Sequence, residues 1–409
     1  MPSETAVLGT RPRLRAVRPG ELSPAAARAK SERSARRMLL TLAIAVTALT
    51  ILGLVMVLSA SSISAFTRYG SSFWFFKRQL TYAVIGAGAA TLAARVPHRF
   101  WQRVWAPLTF GTLALLVLVL QPSIGTRVAG SSRWISLGSF TIQPSELAKL
   151  AAVTATAAIL TRHLKYIDDS IRWMVSLVPI VGVTGALVMM QPDLGTTMVI
   201  VGAVLLMLFV AGVRLRLLAV TTMLTSGLGA LLIMGETYRR VRFLSFLNPW
   251  ADPQNTGYQI IQSLIALGSG QLIGVGLGAS RQKWAYVPNA HTDFIFSIMG
   301  EELGLIGEFV VLVLFGAIVY AGVRIALQSR DTFGRLLAAG ITGWIGLQTL
   351  VNLGAVTGVL PITGVPLPFM SYGGSSLVVS LVAVGILFSI GREGLRSVRS
   401  KSRPPAPPE

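Results

Sequence analysis

The chain has 409 residues, 53% of them hydrophobic and only 13% charged, with 41 glycines and no cysteine. So apolar a composition excludes a soluble globular domain and indicates an integral membrane protein, while the missing cysteines remove disulfides, thiolate metal sites and a thiol nucleophile. The net charge of +20 is scattered between apolar runs, a pattern that suits orientation in a membrane and argues against nucleic acid.

Residues 1–37 carry nine Arg and Lys among prolines and alanines. They are expected to form a disordered, basic cytoplasmic tail able to touch anionic lipid. The first apolar run has no clear cleavage site after it and is read as a retained signal-anchor. Runs of about 20 apolar residues suffice to cross a bilayer. About ten occur, near 38–58, 79–95, 105–121, 145–161, 173–190, 195–212, 217–235, 294–322, 336–355 and 374–390. The expected fold class is therefore an all-α integral membrane protein of about ten transmembrane helices. Residues 38–391 form its polytopic domain, 236–293 a long extracytoplasmic loop with interfacial helices, and 392–409 a cytoplasmic C-terminal tail. With the N-terminus inside, cytoplasmic segments hold 25 of the 36 Lys and Arg, which places both termini in the cytoplasm.

The outward segments depart from simple loops. Phe73-Trp74-Phe75-Phe76 reads as an aromatic interface belt. The stretch from Gln121 to Ser145 contains Ser132-Arg133-Trp134-Ile135-Ser136-Leu137-Gly138 and runs into Gln143-Pro144-Ser145-Glu146, where a proline and a first-turn acid mark a helix start. Lys149 lies a turn inside the fourth span and needs a carboxylate or a wet cavity. Asp193, in Gln191-Pro192-Asp193-Leu194-Gly195-Thr196, is most simply a helix cap.

In the long loop, Tyr238 to Trp250 mixes cations with aromatics as an interfacial segment does. Tyr258 to Leu267 puts Gln259, Gln262, Ser263 and Ala266 on one helical face, a helix lying in or dipping into the interface. Gly268 to Gly278 permits tight turns and lacks the Gly-Lys-Ser/Thr of a phosphate-binding loop. Arg239, Arg240, Arg242, Arg281 and Lys283 stand outside against the charge bias, which an anionic headgroup would explain, since guanidinium forks suit phosphate oxygens. The loop ends in Arg281 to Phe296, with Asp293 at the mouth of span eight. An ionisable residue there is either a functional acid or a helix cap, and spacing leaves both open. Within the span, Ser297, Gly300 and Gly304 lie within about 40° of Asp293, a stripe suited to close helix packing. Glu301, about 12 Å along the axis, is expected to form a structural ion pair with Lys149 at similar depth. The last outward loop, Pro361 to Ser376, is rigid and irregular, and such backbone survives only beside protein or a water-filled cavity.

Together Ser132–Gly138, Gln143–Lys149, Gln191–Thr196, His291-Thr292-Asp293-Phe294-Ile295-Phe296, Gly300-Glu301-Glu302-Leu303-Gly304 and Pro366–Ser376 resemble the shape, elongation, division and sporulation (SEDS) family of bacteria, over about Met38 to Gly391. Phe246–Pro253 and Gly278–Trp284 are closer to its division branch than to its elongation branch. The resemblance implies a peptidoglycan glycosyltransferase that polymerises lipid II at the outer face of the cytoplasmic membrane, at the septum in the division branch. It implies membrane-embedded partners: lipid II, an undecaprenyl diphosphate-linked glycan, a class b penicillin-binding protein that cross-links the product, and other division proteins. The family's acid maps onto Asp293. Arg133, Trp134, Arg281, Lys283, His291, Thr292, Ser371 and Tyr372 are the expected substrate-binding residues. A sugar hydroxyl needs a carboxylate base, and the departing diphosphate needs cations or a divalent metal, Mg2+ or Mn2+, for which Asp293 is the candidate ligand. Two rival classes are a flippase for lipid-linked precursors, against which the chain lacks an inverted repeat or paired broken helices, and a scaffold that only recruits the transpeptidase.

Overall fold

Backbone in lipid must satisfy its own hydrogen bonds, so apolar runs of this length fold as helices. The computed structural model describes residues 24–128, 131–138, 140–167, 169–235, 237–284 and 290–400. A long helix covers every one of the ten runs. They are α1 (Pro24–Tyr69), α2 (Trp74–Arg95), α3 (His98–Leu120), α4 (Pro144–His163), α5 (Ser170–Met189), α6 (Leu194–Ala211), α7 (Leu215–Met234), α10 (Ile295–Gln328), α11 (Thr332–Val356) and α12 (Gly374–Ser400). Two shorter helices, α8 (Thr237–Leu244) and α9 (Tyr258–Ser269), lie in the long loop. The protein is an all-α, multi-pass membrane protein. Eight of the ten long helices are apolar enough to cross a membrane by length and composition, and α2 and α4 are the two that fall short. The reason is visible in each. The second opens on Lys77, Arg78 and Gln79, and the fourth is built of alanine and threonine around Glu146 and Lys149, buried along most of its length. Small side chains let its neighbours close in: a Cβ on Gly340 of α11 would meet Val153 of α4 at 2.6 Å.

Three expectations are corrected here. Residues 24–37 of the expected tail are helical and continue α1, because Pro24 is suited to a first helical turn and the alanines after it favour helix; residues 1–23 lie outside the described residues. The Gln121–Ser145 loop holds a three-stranded antiparallel sheet, β1 (Gly125–Val128), β2 (Ser131–Leu137) and β3 (Phe140–Ile142), in the order β1-β2-β3. And α10 is broken at Gly304, whose φ of 65° and ψ of −169° are not helical.

That break would strand backbone groups in the bundle, and the glycine-rich loop after α9 takes them up. Val275 and Gly276 N–H donate to the carbonyls of Glu301 and Glu302 (2.9 and 3.1 Å), and Leu305 and Ile306 N–H donate to Gln271 and Leu272 (2.9 and 3.2 Å). Ser297 and Gly300 of the expected packing stripe pack closely, whereas Gly304 is the break itself. Ser297 meets Ser263 of α9 at 2.7 Å, and a Cβ on Gly300 would collide with Glu308 and press on Leu267. The buried face of α9 is Ile260, Ile261, Ser263 and Ala266, so Gln259 and Gln262 are not on it; the apolar residues outweigh the amides against α10 and α11.

The bundle has two distinct ends. The end where α1 begins and α12 finishes gathers Ser34 near Gln328, Ser389 on the Val96 carbonyl, and His98 between Asp331 and Glu393 (2.8 and 2.6 Å). Every motif singled out in the sequence lies at the opposite end.

Candidate functional site

The 357–373 connection between α11 and α12 is the hub of that end, and its irregular backbone is held by side chains of α11 and α2 and packed closely by α1 and α6. Gln348 Nε2 donates to Pro366 O (2.8 Å) and Asn352 Nδ2 to Val365 O (2.8 Å), both from α11. From α2, Gln79 donates to Ser371 O (3.0 Å) and accepts from Gly373 N (3.3 Å). Gly53 of α1 has no room for a Cβ, which would lie 2.6 Å from Met370 Cα, and a Cβ on Gly195 of α6 would collide with Val365. On α12, Ser375 accepts from Gln143 N (3.0 Å) and donates to Thr141 O (3.1 Å), which ties the sheet and the start of α4 to the same hub.

The turn before α10 docks onto this hub by its main chain. Ser371 Oγ donates to Thr292 O (2.6 Å), Tyr372 N to His291 O (2.9 Å), and Asn352 Nδ2 to Asp293 O (2.9 Å). The cap position of α10 is Phe294, not Asp293. The Asp293 carboxylate points at the hub: Oδ2 would lie 3.5 Å from a Cβ on Gly364, a residue with φ of +73°. Glycine at 364 therefore serves the left-handed backbone, and a Cβ there would touch the acid only in ordinary contact. Among the expected site residues, His291, Thr292, Asp293, Ser371 and Tyr372 come together here. The ring of His291 packs on Phe75 (4.5 Å) and Tyr372 (5.6 Å). Burial, with the Arg68 charge behind it, pushes His291 down to about 4, so it is neutral near pH 7. Burial pushes the Tyr372 hydroxyl up to about 12, against the pull of Arg78.

The other expected residues lie elsewhere. Arg133 spends its guanidinium on the carbonyls of Gln191 and Pro192 (2.7 and 2.6 Å), clamping the sheet to the turn before α6, and Trp134 pairs with Thr126 in that sheet. Asp193 is the cap of α6, accepting from Thr196 N (3.1 Å). Lys283 Nζ is buried against Glu302 (3.6 Å) and the Gly278 carbonyl. Arg281 keeps an exposed side chain while its N–H is held by Glu301 (2.9 Å). Arg239 and Arg242 fall where side chains are outside the described residues.

The expected Lys149–Glu301 pair does not form. Lys149 pairs with Glu146 one turn away (2.8 Å), donates to Gln348 Oε1 (2.7 Å) and lies 5.2 Å from the Trp344 ring centre. Glu301 instead accepts from Ser280 Oγ (2.5 Å), Arg281 N (2.9 Å) and Gln282 N (3.4 Å). The broken helix turns Glu301 toward the glycine-rich loop, which a straight helix would not have done. Two cations that were not singled out, Arg68 and Arg78, border His291 and Tyr372. The signal for them was available: both are cations flanking the short α1–α2 connection, Arg68 at the end of α1 and Arg78 in the second turn of α2.

A divalent cation of the Mg2+ kind is held by one or two carboxylates together with substrate phosphates. Asp293 is suited to be such a carboxylate, and two buried oxygens of the same junction, Asn352 Oδ1 and Thr363 Oγ1, have no hydrogen-bond partner.

Comparison with known proteins gives a consistent answer. The family described as "Cell cycle protein", named for FtsW, RodA and SpoVE, matches residues 39–395. The "Probable peptidoglycan glycosyltransferase FtsW" of Geobacter metallireducens is 45% identical over 357 residues, covering 87% of this chain and 94% of its own. Stage V sporulation protein E of Bacillus subtilis is 45% identical over 342 residues, 83% of this chain and 93% of its own. Among solved structures, a chain from a peptidoglycan synthase complex that coordinates polymerization and crosslinking superposes with a TM-score of 0.70 at 30% identity, covering 86% of this chain and 97% of that one. The rod shape determining protein RodA of Thermus thermophilus gives 0.64 at 29% identity, with 86% and 96% covered. The chain therefore belongs to the FtsW, RodA and SpoVE family of membrane cell-cycle proteins.

Proposed function

We propose that the protein is a peptidoglycan glycosyltransferase that polymerises lipid II for septal wall synthesis, at the hub end of the bundle and on the outer face of the cytoplasmic membrane. Family membership and the glycosyltransferase relatives support the activity, and the charge bias of the connecting segments supports the orientation. The observation that carries the mechanism is the placement of Asp293. Its main chain is pinned by Asn352 and its carboxylate is turned toward Gly364, so the acid is held by the fold and not spent on capping α10.

In the proposed step the 4-hydroxyl of one lipid II attacks the anomeric carbon of the lipid-linked end of a glycan. The new C–O bond forms as the bond from that carbon to the diphosphate oxygen breaks, and the electron pair leaves with undecaprenyl diphosphate. Asp293 takes the hydroxyl proton, the role of a positioned general base. A divalent cation bound by Asp293 would supply charge stabilisation for the departing diphosphate. The class b penicillin-binding protein that would cross-link the product is the proposed partner, supported by the synthase-complex neighbour.

The test is glycan chain formation from lipid II by matched amounts of wild-type and variant protein with its synthase partner. Asp293→Asn removes the base and should lower the rate by about 10²–10⁴-fold with normal insertion and partner binding. Thr292→Ser, which keeps a hydroxyl, should stay active. Polymerisation by Asp293→Asn within a few-fold of wild type would return Asp293 to a structural role.

A further inference from the structure

We infer that Arg68 and Arg78 form a diphosphate-binding subsite beside His291 and Tyr372, on the α1–α2 side of the hub; this deepens the proposed function and rests on it for the identity of the lipid. Two of the expected phosphate-binding cations are engaged elsewhere: Arg133 on two carbonyls and Lys283 on Glu302. The cations that border the Asp293 turn are these two arginines.

The fold brings them together and holds one of them rigidly. Only residues 70–73 separate α1 from α2, and Gly70 turns the chain with φ of +71°. Tyr69 and Trp74 then stack across the turn, 3.8 Å apart and 1° from parallel. The Arg78 guanidinium sits 4.7 Å from the Trp74 ring centre and hydrogen-bonds Tyr372. Its neighbours at helical spacing, Phe75, Gln79 and Tyr82, are buried, so Arg78 lies on the face of α2 that meets the hub. Arg68 is exposed at the end of α1, next to the stacked Tyr69.

Arg78 stands in the second turn of α2. Two forks flanking one aromatic pair suit a ligand with two phosphoryl groups better than a single phosphodiester. Phe66, Tyr69 and Phe73 are exposed around them, as befits residues at a lipid headgroup boundary. Asp293 is two residues from His291, so a diphosphate here would lie beside the proposed base.

The experiment uses full-length protein in phosphatidylcholine nanodiscs with its synthase partner. Binding of undecaprenyl diphosphate is titrated, and lipid II polymerisation is followed in parallel. Arg68→Gln and Arg78→Gln should each raise the Kd for undecaprenyl diphosphate and the KM for lipid II about tenfold, which is about 1.4 kcal/mol, with kcat within about threefold. Arg78→Lys, keeping charge without the fork, should fall between. Lys77→Gln, an exposed neighbour, should match wild type. Inorganic pyrophosphate should compete weakly and lose that competition in the variants, and phosphatidylglycerol should not compete. Unchanged Kd and KM in both glutamine variants would overturn the subsite, and equal competition by phosphatidylglycerol would overturn the diphosphate assignment. If Arg78→Gln fails to fold, Arg68→Gln decides the outcome. Wild-type protein that binds the diphosphate but makes no glycan would count against the proposed function and leave the subsite standing.

Discussion

Replacing Lys149 with methionine tests whether the buried charges of α4 are paired as the structure has them. Lys149 and Glu146 are each 1% exposed and 2.8 Å apart. Methionine keeps most of the volume of the side chain but leaves the Glu146 carboxylate without its cation in a dry interior. Breaking a buried pair by removing one partner costs about 3–5 kcal/mol. The lost hydrogen bond to Gln348 adds little, because Trp344 Nε1 still donates to the same oxygen (2.8 Å). The double variant Glu146→Gln with Lys149→Met removes both charges and should recover most of the loss. A double-mutant cycle should therefore give a coupling of about 2–3 kcal/mol between 146 and 149. The parallel cycle between Lys149→Met and Glu301→Gln should be additive, since Glu301 is satisfied by Ser280, Arg281 and Gln282. The assay is thermal unfolding of detergent-solubilised protein followed by size-exclusion chromatography, with denaturant titration for the free energies. Wild-type stability in Lys149→Met, or coupling of Lys149 to Glu301 in place of Glu146, would refute the reasoning.

Gly364→Ala should insert and fold with a loss of about 1–2 kcal/mol for the left-handed backbone in thermal melts and keep measurable polymerisation, because its methyl would meet Asp293 only in ordinary contact at 3.5 Å; Gly358→Ala, with φ of +72° and a closer approach to Ile260 (3.3 Å), should lose at least as much stability. His291 binds a proton below about 6.5 when unfolded and below about 4 when folded, burial being the larger cause and Arg68 the smaller. Stability should therefore fall as pH drops from about 6.5 to about 4, and His291→Phe should flatten that fall in thermal melts across the range. Because the chain has no cysteine, single cysteines report topology cleanly: Ser34→Cys and Ser397→Cys should be shielded from an impermeant thiol reagent in intact cells and Asn255→Cys labelled, whereas labelling at residue 34 without permeabilisation would reverse the proposed orientation.

What the sequence could reveal was governed by the range of the interaction. Helices were legible because apolar length is a local property, and the cap at Asp193 and the start at Pro144 were legible for the same reason. The sheet at 125–142 was overlooked although Trp134-Ile135 and Phe140-Thr141-Ile142 favour strands, because the glycines and serines around them read as turns. The helix break was not legible. Gly304 looked like one more packing glycine, and only the loop carbonyls of Gln271 and Leu272, more than thirty residues earlier, make its left-handed conformation affordable. That single break redirected Glu301, and with it the expected partner of Lys149. The cations failed for a related reason. Being outward and against the charge bias nominates an arginine but does not say what it touches, and carbonyl groups of Gln191 and Pro192 satisfied Arg133 as well as a phosphate would have. Asp293 was nominated as the acid to watch, but its sequence neighbours could not separate a cap from a base. The cap position falls on Phe294, and the backbone of Asp293 is fixed by Asn352, a residue on the far side of α10 in the chain. A site assembled at one end of a helical bundle is read from the connections that meet there, and those meetings are set by packing between spans rather than by the order of residues within any one of them.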